Sequence, residues 1–218
     1  MVVSCWSAKG GSGTTVVAAS LALVLARAPG DEVLLVDLAG DVPAALGLAE
    51  PAGPGVMDWA EAGSDVPADA LARLEVPVGP RVALLPRGAG PGVVATERME
   101  LLAAMLAADD RTVVVDCGTL TAETVALPMA AGATVSLLVT RACYLSLRRA
   151  VAAPIRPSAV ALVNEPGRAL DRRDIESILG VPVTAEITVD PGVARAVDAG
   201  LLASRLPRSL QRALRDAG

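Results

Sequence analysis

The stretch VVSCWSAKGGSGTTVVAASLALVLARA, residues 2–28, places three kinds of segment in a decisive order. Val2–Ala8 is an apolar run typical of a buried strand, and Thr14–Ala28 has the alanine and leucine content of a helix. The loop between them, KGGSGTT at 9–15, is rich in glycine. Glycine lets a backbone turn tightly and point its N–H groups at an anion, and the following helix adds the positive end of its dipole. The sequence therefore predicts a phosphate-binding loop between the first strand and the first helix.

The rest of the chain alternates short β-branched runs with longer stretches rich in alanine and leucine, which is typical of a parallel sheet covered by helices. Further strands are predicted at Val33–Asp37, Arg81–Pro86, Thr112–Asp116, Thr134–Thr140, Ala159–Asn164 and Val183–Ile187. Helices are predicted around Gly55–Ala62 and Pro67–Leu74, and at Ala95–Ala108, Thr121–Ala131, Ser146–Ala153, Asp171–Leu179, Pro191–Ala199 and Pro207–Asp216. We expect one doubly wound α/β domain over 1–218, with a mostly parallel sheet, helices on both faces and a C-terminal helix within 204–218.

Composition excludes several classes of function. Apolar residues make up 53% of the 218 residues and charged residues 20%, which excludes a disordered chain. The chain has no histidine, so a Ser-His-Asp triad, a histidine-ligated metal and an imidazole base are all excluded. Its three cysteines are far apart and form no CxxC pair, which argues against a zinc site or a disulfide framework. No segment resembles a secretion signal or a membrane span, so we expect a cytoplasmic protein.

Lysine is used once in this sequence, at the front of the glycine-rich loop. The other eighteen basic residues are arginines, whereas Lys9 stands directly before the first glycine of the loop. A compact ammonium on a flexible stem binds phosphate as a point charge, which a planar guanidinium copies poorly. An ordinary P-loop carries its lysine directly after the last glycine, where this chain has Thr14. Lys9 is therefore a candidate phosphate-binding cation, and the Thr15 hydroxyl is placed to hold a magnesium ion.

The loop resembles the deviant Walker A motif, KGGxGK[ST], of the MinD/ParA family of P-loop ATPases. VLLVD at 33–37 is similar to the strand that leads into the family's switch I loop, and TVVVDCG at 112–118 to its Walker B strand. VALVNEPG at 160–167 resembles the strand whose terminal asparagine reads adenine, and 179–200 resembles the final strand and helix. Each match alone is weak, but they follow the family's order over most of the chain.

This resemblance implies that ATP and Mg²⁺ bind between the two subunits of a nucleotide-dependent homodimer. Lys9, reaching across to the partner's phosphates, and Asp37, the first switch I aspartate, are the candidate catalytic residues. Thr15 and Asp116 are the candidate metal ligands. The cofactor-binding set is Lys9, Gly10, Gly11, Ser12, Gly13, Thr14, Thr15 and Asn164. The alternative interpretation is that Asp37 and Asp116 are exposed carboxylates at strand ends without a function, and that Asn164 only forms a turn.

Three departures from the family pattern concern hydrolysis and base binding. Thr14 replaces the usual P-loop lysine, Ala39 stands where switch I has its second, water-positioning aspartate, and Thr188 replaces a proline near the base. Asp41 could substitute for the missing aspartate only if its loop were displaced. Because phosphoryl transfer depends on positioning and charge neutralisation, these changes predict very slow hydrolysis or none. A loop that ends Gly-Thr-Thr is similar to the CpaE/TadZ branch, whose members place pilus-secretion machinery and often have atypical Walker motifs.

Two functions remain open at this point, and both would use a protein partner whose identity the sequence does not give. The chain is either a nucleotide-binding, dimerising scaffold with weak or absent hydrolysis, or an active MinD/ParA-type ATPase that positions cell-division, chromosome or pilus machinery. A third reading, an iron–sulfur carrier or amide-forming synthetase of the same fold, is disfavoured because no cysteine pair is present. We expect the arginine-rich C-terminal helix to dock on its own domain, with contact to a membrane or DNA as the alternatives.

Overall fold

An eight-stranded sheet forms the middle of the protein in a computed structural model that describes residues 1–28, 30–63, 66–90, 94–215 and 217. The strands are β1 (Val2–Ser7), β2 (Val33–Asp37), β3 (Val76–Gly79), β4 (Val82–Leu85), β5 (Thr112–Thr119), β6 (Val135–Arg141), β7 (Ala159–Asn164) and β8 (Val183–Thr188). Their spatial order is β3-β4-β2-β5-β1-β6-β7-β8, and every neighbouring pair is parallel except β3 with β4. The predicted α/β fold with a mostly parallel sheet is confirmed.

Helices cover the sheet on both faces. They are α1 (Thr14–Leu25), α2 (Val42–Leu46), α3 (Val56–Glu61), α4 (Thr96–Ala107), α5 (Leu127–Gly132), α6 (Tyr144–Val151), α7 (Arg172–Leu179), α8 (Pro191–Asp198) and α9 (Arg208–Ala213). Side chains of β1 alternate between two apolar cores, because successive residues of a strand point to opposite faces. Val3 and Cys5 pack with α1 and α9, whereas Trp6 packs on the other face with α4 and α5. Trp6 is fully buried, and its indole N–H donates to the Ser136 hydroxyl over 3.0 Å.

Several predicted boundaries differ from those observed. The strand predicted at Thr112–Asp116 continues to Thr119, and a helix at Val42–Leu46 and the antiparallel strand Val76–Gly79 were not predicted. The segment predicted as a helix over Pro67–Leu74 contains two short 3₁₀ turns, Ala68–Ala70 and Ala72–Leu74.

The helix predicted over Thr121–Ala131 begins only at Leu127. The Thr124 hydroxyl accepts a hydrogen bond from the Thr121 N–H over 2.8 Å, and the Thr124 N–H donates to the Thr121 carbonyl over 3.2 Å. These bonds hold the segment in a turn, since threonine side chains near the backbone compete with helical hydrogen bonding.

The C-terminal helix is shorter than its predicted span, and it docks on the protein as expected. The observed α9 ends at Ala213, and the predicted end at Asp216 lies outside the described residues. Leu206, Leu210 and Leu214 are buried in the core that contains α1. Across the described ranges, every helix is too short or too polar to cross a bilayer.

Candidate functional site

The loop between β1 and α1 is closed by its own side chains and leaves the start of the helix open. The Ser12 hydroxyl donates to the Lys9 carbonyl over 2.7 Å. Gly11 and Gly13 have φ angles of 77° and 91°, a left-handed conformation that glycine adopts without strain. Gly13 is the N-cap residue of α1, and among the described residues no side-chain hydrogen bond caps this end of the helix. The first N–H groups and the dipole of this twelve-residue helix form an anion-binding end.

Two aspartates lie side by side at the carboxyl ends of the neighbouring strands β2 and β5. Asp37 and Asp116 are paired in the sheet register, and Asp116 is also paired with Cys5 of β1 on its other side. Both aspartates are fully buried, so the alternative of exposed carboxylates at strand ends is wrong. The sheet order thus brings both carboxylates beside the strand that carries the loop.

Asp116 has an unsatisfied carboxylate oxygen. Its Oδ1 accepts a hydrogen bond from the Gly118 N–H over 3.0 Å, whereas its buried Oδ2 has no hydrogen-bond partner among the described residues. Burial raises the pKa of Asp116 from 3.8 to about 6, although the nearby Thr15 hydroxyl and the Gly118 N–H each lower it. Thr15 and Asp116, the two predicted metal ligands, are therefore close neighbours.

This pair fits a magnesium ion. Mg²⁺ prefers hard oxygen ligands, and it is commonly held by one or two protein oxygens, water and substrate phosphates. A hydroxyl and a carboxylate supply such oxygens, and the unpartnered Oδ2 of Asp116 leaves an acceptor for a cation or its water. A buried acceptor without a partner costs stability in the free protein, which a bound ion would recover.

The carboxylate of Asp37 organises the loop that follows β2. It accepts hydrogen bonds from the N–H groups of Ala39, Gly40 and Val42 over 3.0, 2.6 and 3.1 Å. Burial raises its pKa, and the three N–H groups partly offset this rise. Asp37 thus shapes the loop, and its role as a catalytic residue stays a prediction.

Ala39 lies next to the Walker B-like strand, and Asp41 is close by. A Cβ on Gly118 would come within 3.1 Å of the Ala39 Cβ, and Gly118 has a φ of 62°. Asp41 is exposed, and its charge contributes to the raised pKa values of both Asp37 and Asp116.

A pocket of about 500 Å³ is lined in part by Asp37, Ala39, Asp41 and Arg87. Arg87 was not predicted from the sequence; its aliphatic stem packs against Gly40.

Lys9 and Thr14 occupy different environments. Lys9 is half-buried, and its Nζ donates to the Gly10 carbonyl over 3.4 Å. The ammonium also helps to lower the pKa of Cys143, after the stronger effect of the Ser146 hydroxyl, so its charge acts toward the start of α6. Thr14 is buried. Because the chain contains a single lysine, Lys9 is the only lysine available to the loop.

A second pocket joins the loop to the ends of β7 and β8. It has a volume of about 250 Å³ and a largely apolar lining that includes Gly13, Val163, Thr188 and Val189. Asn164 is paired with Thr188, and its carbonyl accepts from the Val189 N–H over 2.9 Å. Its side chain follows Val163 along the strand and so points to the other face of the sheet, and Asn164 does not line this pocket. Its role in binding a base stays a prediction. The Asn164 side chain contacts Glu186, which was not predicted. No local sequence signal indicates this neighbour, because the contact depends on the register that pairs Leu162 with Glu186.

The architecture and the loop define a P-loop α/β protein, and the comparisons with solved structures agree. The chain is similar to a ParA family ATPase from Chlorobium tepidum TLS, with 21% identity, a TM-score of 0.79, and coverage of 99% of this chain and 96% of that one. It is also similar to MinD of Pyrococcus horikoshii OT3 complexed with Mg-ADP, with 19% identity, a TM-score of 0.77, and coverage of 99% and 93%.

A third similar structure is the MinC:MinD cell division protein complex of Aquifex aeolicus, with 21% identity, a TM-score of 0.77, and coverage of 99% and 93%. No protein-family model matches the sequence, and no curated protein matches it. The chain therefore has the fold of the ParA and MinD ATPases over nearly its whole length.

Proposed function

We propose that this chain is a cytoplasmic, single-domain, ATP·Mg²⁺-binding protein of the MinD/ParA type that dimerises with nucleotide and recruits or positions a partner complex, with weak or absent ATP hydrolysis. The observation that carries the proposal is the meeting of the Thr15 hydroxyl and the buried, partly unsatisfied Asp116 carboxylate beneath the open start of α1. A helix end that can bind phosphate and two hard oxygens that can bind a metal thus lie together, as the binding of ATP·Mg²⁺ requires.

Binding is expected to be weaker than in a loop with the usual lysine. Thr14 is neutral and buried, so it cannot neutralise the β- and γ-phosphates. A hydrogen bond to a charged group is worth about 1.5–3 kcal/mol, and its loss corresponds to a roughly 10- to 150-fold weaker affinity. Backbone N–H groups, Thr15 and Asp116 would still hold the phosphates and Mg²⁺, which supplies charge neutralisation when bound.

Slow hydrolysis follows from the absence of a water-positioning carboxylate at Ala39. The methyl group of Ala39 packs toward Gly118 and can neither accept a proton nor orient water. The alternative, an active ATPase, is supported by Asp41, which is exposed and shares a pocket with Ala39.

Dimerisation and partner choice rest on the resemblance to the family. A MinD similar in fold is found in complex with MinC, which supports a protein partner for this chain in general terms. The atypical loop favours the CpaE/TadZ branch and hence partners from pilus-secretion machinery. Lys9, half-buried at the front of the loop, would cross to the second subunit.

Calorimetry and phosphate release together test the proposal. We expect ATP to bind in the presence of Mg²⁺, to bind much more weakly in EDTA, and to be turned over far more slowly than by ordinary family members. Asp116→Asn should remove the difference between Mg²⁺ and EDTA, because an amide is a poor ligand for Mg²⁺. Failure of ATP to bind under either condition would refute the proposal, and rapid phosphate release would favour the active ATPase.

A further inference from the structure

Helix α6 buries one side against the protein and leaves the other side exposed. Leu147, on the inner side, belongs to the apolar core that contains Trp6. Three large apolar side chains lie on the outer side: Tyr144 is 74% exposed, Val151 63% and Leu145 45%. Tyr144 is the only tyrosine of the sequence. Exposed apolar side chains that are grouped on one helix face are typical of an interaction site.

Two arginines share this outer side of the helix. Arg148 and Arg149 follow Tyr144 and Leu145 at a spacing of four residues, which brings side chains to the same face of a helix. Both arginines are exposed, and neither guanidinium bonds or pairs with any residue that the structure describes. We call the five exposed side chains the α6 patch: Tyr144, Leu145, Arg148, Arg149 and Val151.

The α6 patch is cationic, although the protein as a whole is acidic. No aspartate or glutamate occurs from 124 to 164, whereas the whole chain has a net charge of −5. Glu165, the first acid after this stretch, is paired with Arg141 and Arg168. The carboxylates of the adjacent helix α7 accept hydrogen bonds from that helix and from the start of β8. The two arginines of the patch are therefore available to acidic groups of another molecule.

We infer that the α6 patch is the docking surface for a protein partner that presents an acidic, amphipathic segment. Its carboxylates would pair with Arg148 and Arg149, and its apolar side chains would cover Tyr144 and the two aliphatic residues beside it. Tyrosine and arginine are the residue types that often dominate binding energy at protein interfaces. This inference rests on the proposed function, in which the chain recruits a protein partner, and it names the surface and the chemistry of that partner.

Other occupants suit the α6 patch less well. Membrane-bound helices separate a charged face from an apolar face, whereas Arg148 lies between Tyr144 and Leu145 around the helix. A nucleic-acid backbone would bind the arginines and leave the apolar side chains in water. A twofold contact of the patch with a second copy of this chain would place arginines against arginines.

Selection from a random peptide display library on the unmodified protein tests the chemistry of the partner. We expect the selected peptides to be rich in aspartate and glutamate and to carry apolar residues at helical spacing. Two variants examine the patch, Tyr144→Ala and the pair Arg148→Glu with Arg149→Glu. The matched control is Arg208→Glu with Arg212→Glu, which makes the same charge change at exposed positions of α9, on the opposite face of the sheet.

Fluorescence anisotropy of a selected peptide then measures its affinity for each protein. Both α6 variants should bind the peptide at least about tenfold more weakly, as expected for residues that dominate an interface. The control should bind it as the unmodified protein does. Added salt should weaken the binding, because it screens exposed charges. Calorimetric binding of ATP·Mg²⁺ should be the same in all four proteins.

Selected peptides without an excess of acidic residues, or peptides that bind the α6 variants as tightly as the unmodified protein, would overturn the inference. Binding of duplex DNA or of phosphatidylglycerol vesicles that the arginine pair alone abolishes would also overturn it, because the patch would then serve another class of partner. These outcomes leave the proposed function intact while ATP·Mg²⁺ still binds. Failure of ATP·Mg²⁺ to bind to the unmodified protein would instead refute the proposed function, whichever peptides are selected.

Discussion

At the scale of single residues, the two aspartates at the ends of β2 and β5 differ in how their burial is compensated. The carboxylate of Asp37 accepts three backbone N–H groups, whereas Oδ2 of Asp116 has no partner among the described residues. A buried carboxylate without sufficient hydrogen bonds holds its proton to higher pH. The burial of the Asp37 carboxylate is thus compensated by hydrogen bonds to the loop after β2. The Asp116 carboxylate lacks such compensation, and a bound cation would stabilise it.

Replacing Asp116 with asparagine should stabilise the free protein at neutral pH. Its pKa is raised from 3.8 to about 6, so the ionised form is disfavoured in the folded state. That rise corresponds to at most about 3 kcal/mol, which accumulates as pH rises from about 4 to 6 and is constant above that. Denaturant unfolding should show Asp116→Asn to be more stable than the unmodified protein at pH 8, with the difference nearly gone at pH 4. A less stable variant at pH 8 would contradict this assignment.

Introducing the residues of the MinD/ParA pattern should separate binding from turnover. Thr14→Lys should tighten ATP binding by about 10- to 150-fold, because a cation again faces the phosphates. Hydrolysis should rise only when Ala39→Asp is added, since the lysine cannot orient water. Calorimetry and phosphate release on the two single variants and the double variant measure both effects. Fast hydrolysis by Thr14→Lys alone would show that another carboxylate, with Asp41 the nearest candidate, positions the water.

At the scale of secondary-structure elements, the C-terminal helix shows that an arginine-rich segment can be held by its apolar side. Leu206, Leu210 and Leu214 recur every fourth residue and are buried against the core that contains α1. Gln211 also accepts a hydrogen bond from Arg27 at the end of α1 over 2.9 Å. The arginines of this segment remain exposed around the docked face.

Truncating the docked face of α9 should destabilise the protein. Leu210→Ala removes a fully packed side chain and should cost about 2–4 kcal/mol in free energy of unfolding. Arg212→Ala, on the exposed side of the same helix, is the control and should change that free energy by less than about 0.5 kcal/mol. Denaturant unfolding of both variants measures this difference in the free energy of unfolding. If α9 were only loosely held, the two substitutions would have equal, small effects.

The sequence predicted the sheet and the loop well because their signals are local. The apolar strand Val33–Asp37 was predicted with its observed bounds, and Val2–Ala8 differs by one residue. The antiparallel strand Val76–Gly79 was missed because Pro77 and Gly79 weaken its local signal, and it is held by pairing with Val82–Leu85. The Glu186–Asn164 contact also depends on register between distant segments, which a single sequence does not display.

At the scale of the whole molecule, one arginine links the two segments that precede β3 and β5. Arg111 makes a bidentate contact with Glu75 over 2.7 and 2.8 Å, and it bonds Asp109 over 3.0 and 2.8 Å. The hydrogen bond from Arg111 lowers the pKa of Asp109. Such a network orders the edge strand against the middle of the sheet, where an isolated exposed ion pair would add little.

Removing this guanidinium should destabilise the protein in a pH-dependent way. Arg111→Met should cost about 1 kcal/mol at pH 7, a value kept low because solvent screens the partly exposed network. A lowered carboxyl pKa contributes stability above its ordinary value near 3.8 and loses it below, so the difference from the unmodified protein should shrink toward pH 3. Arg73→Met, which breaks an exposed pair with Asp69, is the control and should have almost no effect. Equal losses from both substitutions at all pH values would argue against the network.

Nucleotide-dependent association is the property of the whole molecule that Lys9 is expected to control. Lys9→Ala should abolish the dimer formed with ATP·Mg²⁺ while it retains measurable ATP affinity, because the ammonium would act across the subunit boundary. Lys9→Arg keeps the charge and serves as the control for charge alone. If Lys9→Ala loses ATP binding altogether, the lysine acts within its own subunit instead.

The most direct test of the account is sedimentation velocity of the unmodified protein without nucleotide, with ADP·Mg²⁺ and with ATP·Mg²⁺, repeated after several hours while released phosphate is measured. We predict a monomer without nucleotide and with ADP, and a dimer with ATP that persists while little phosphate appears. The same oligomeric state under all three conditions, or a dimer that dissociates as phosphate is rapidly released, would contradict the central claim that this chain is a nucleotide-dependent switch with weak hydrolysis.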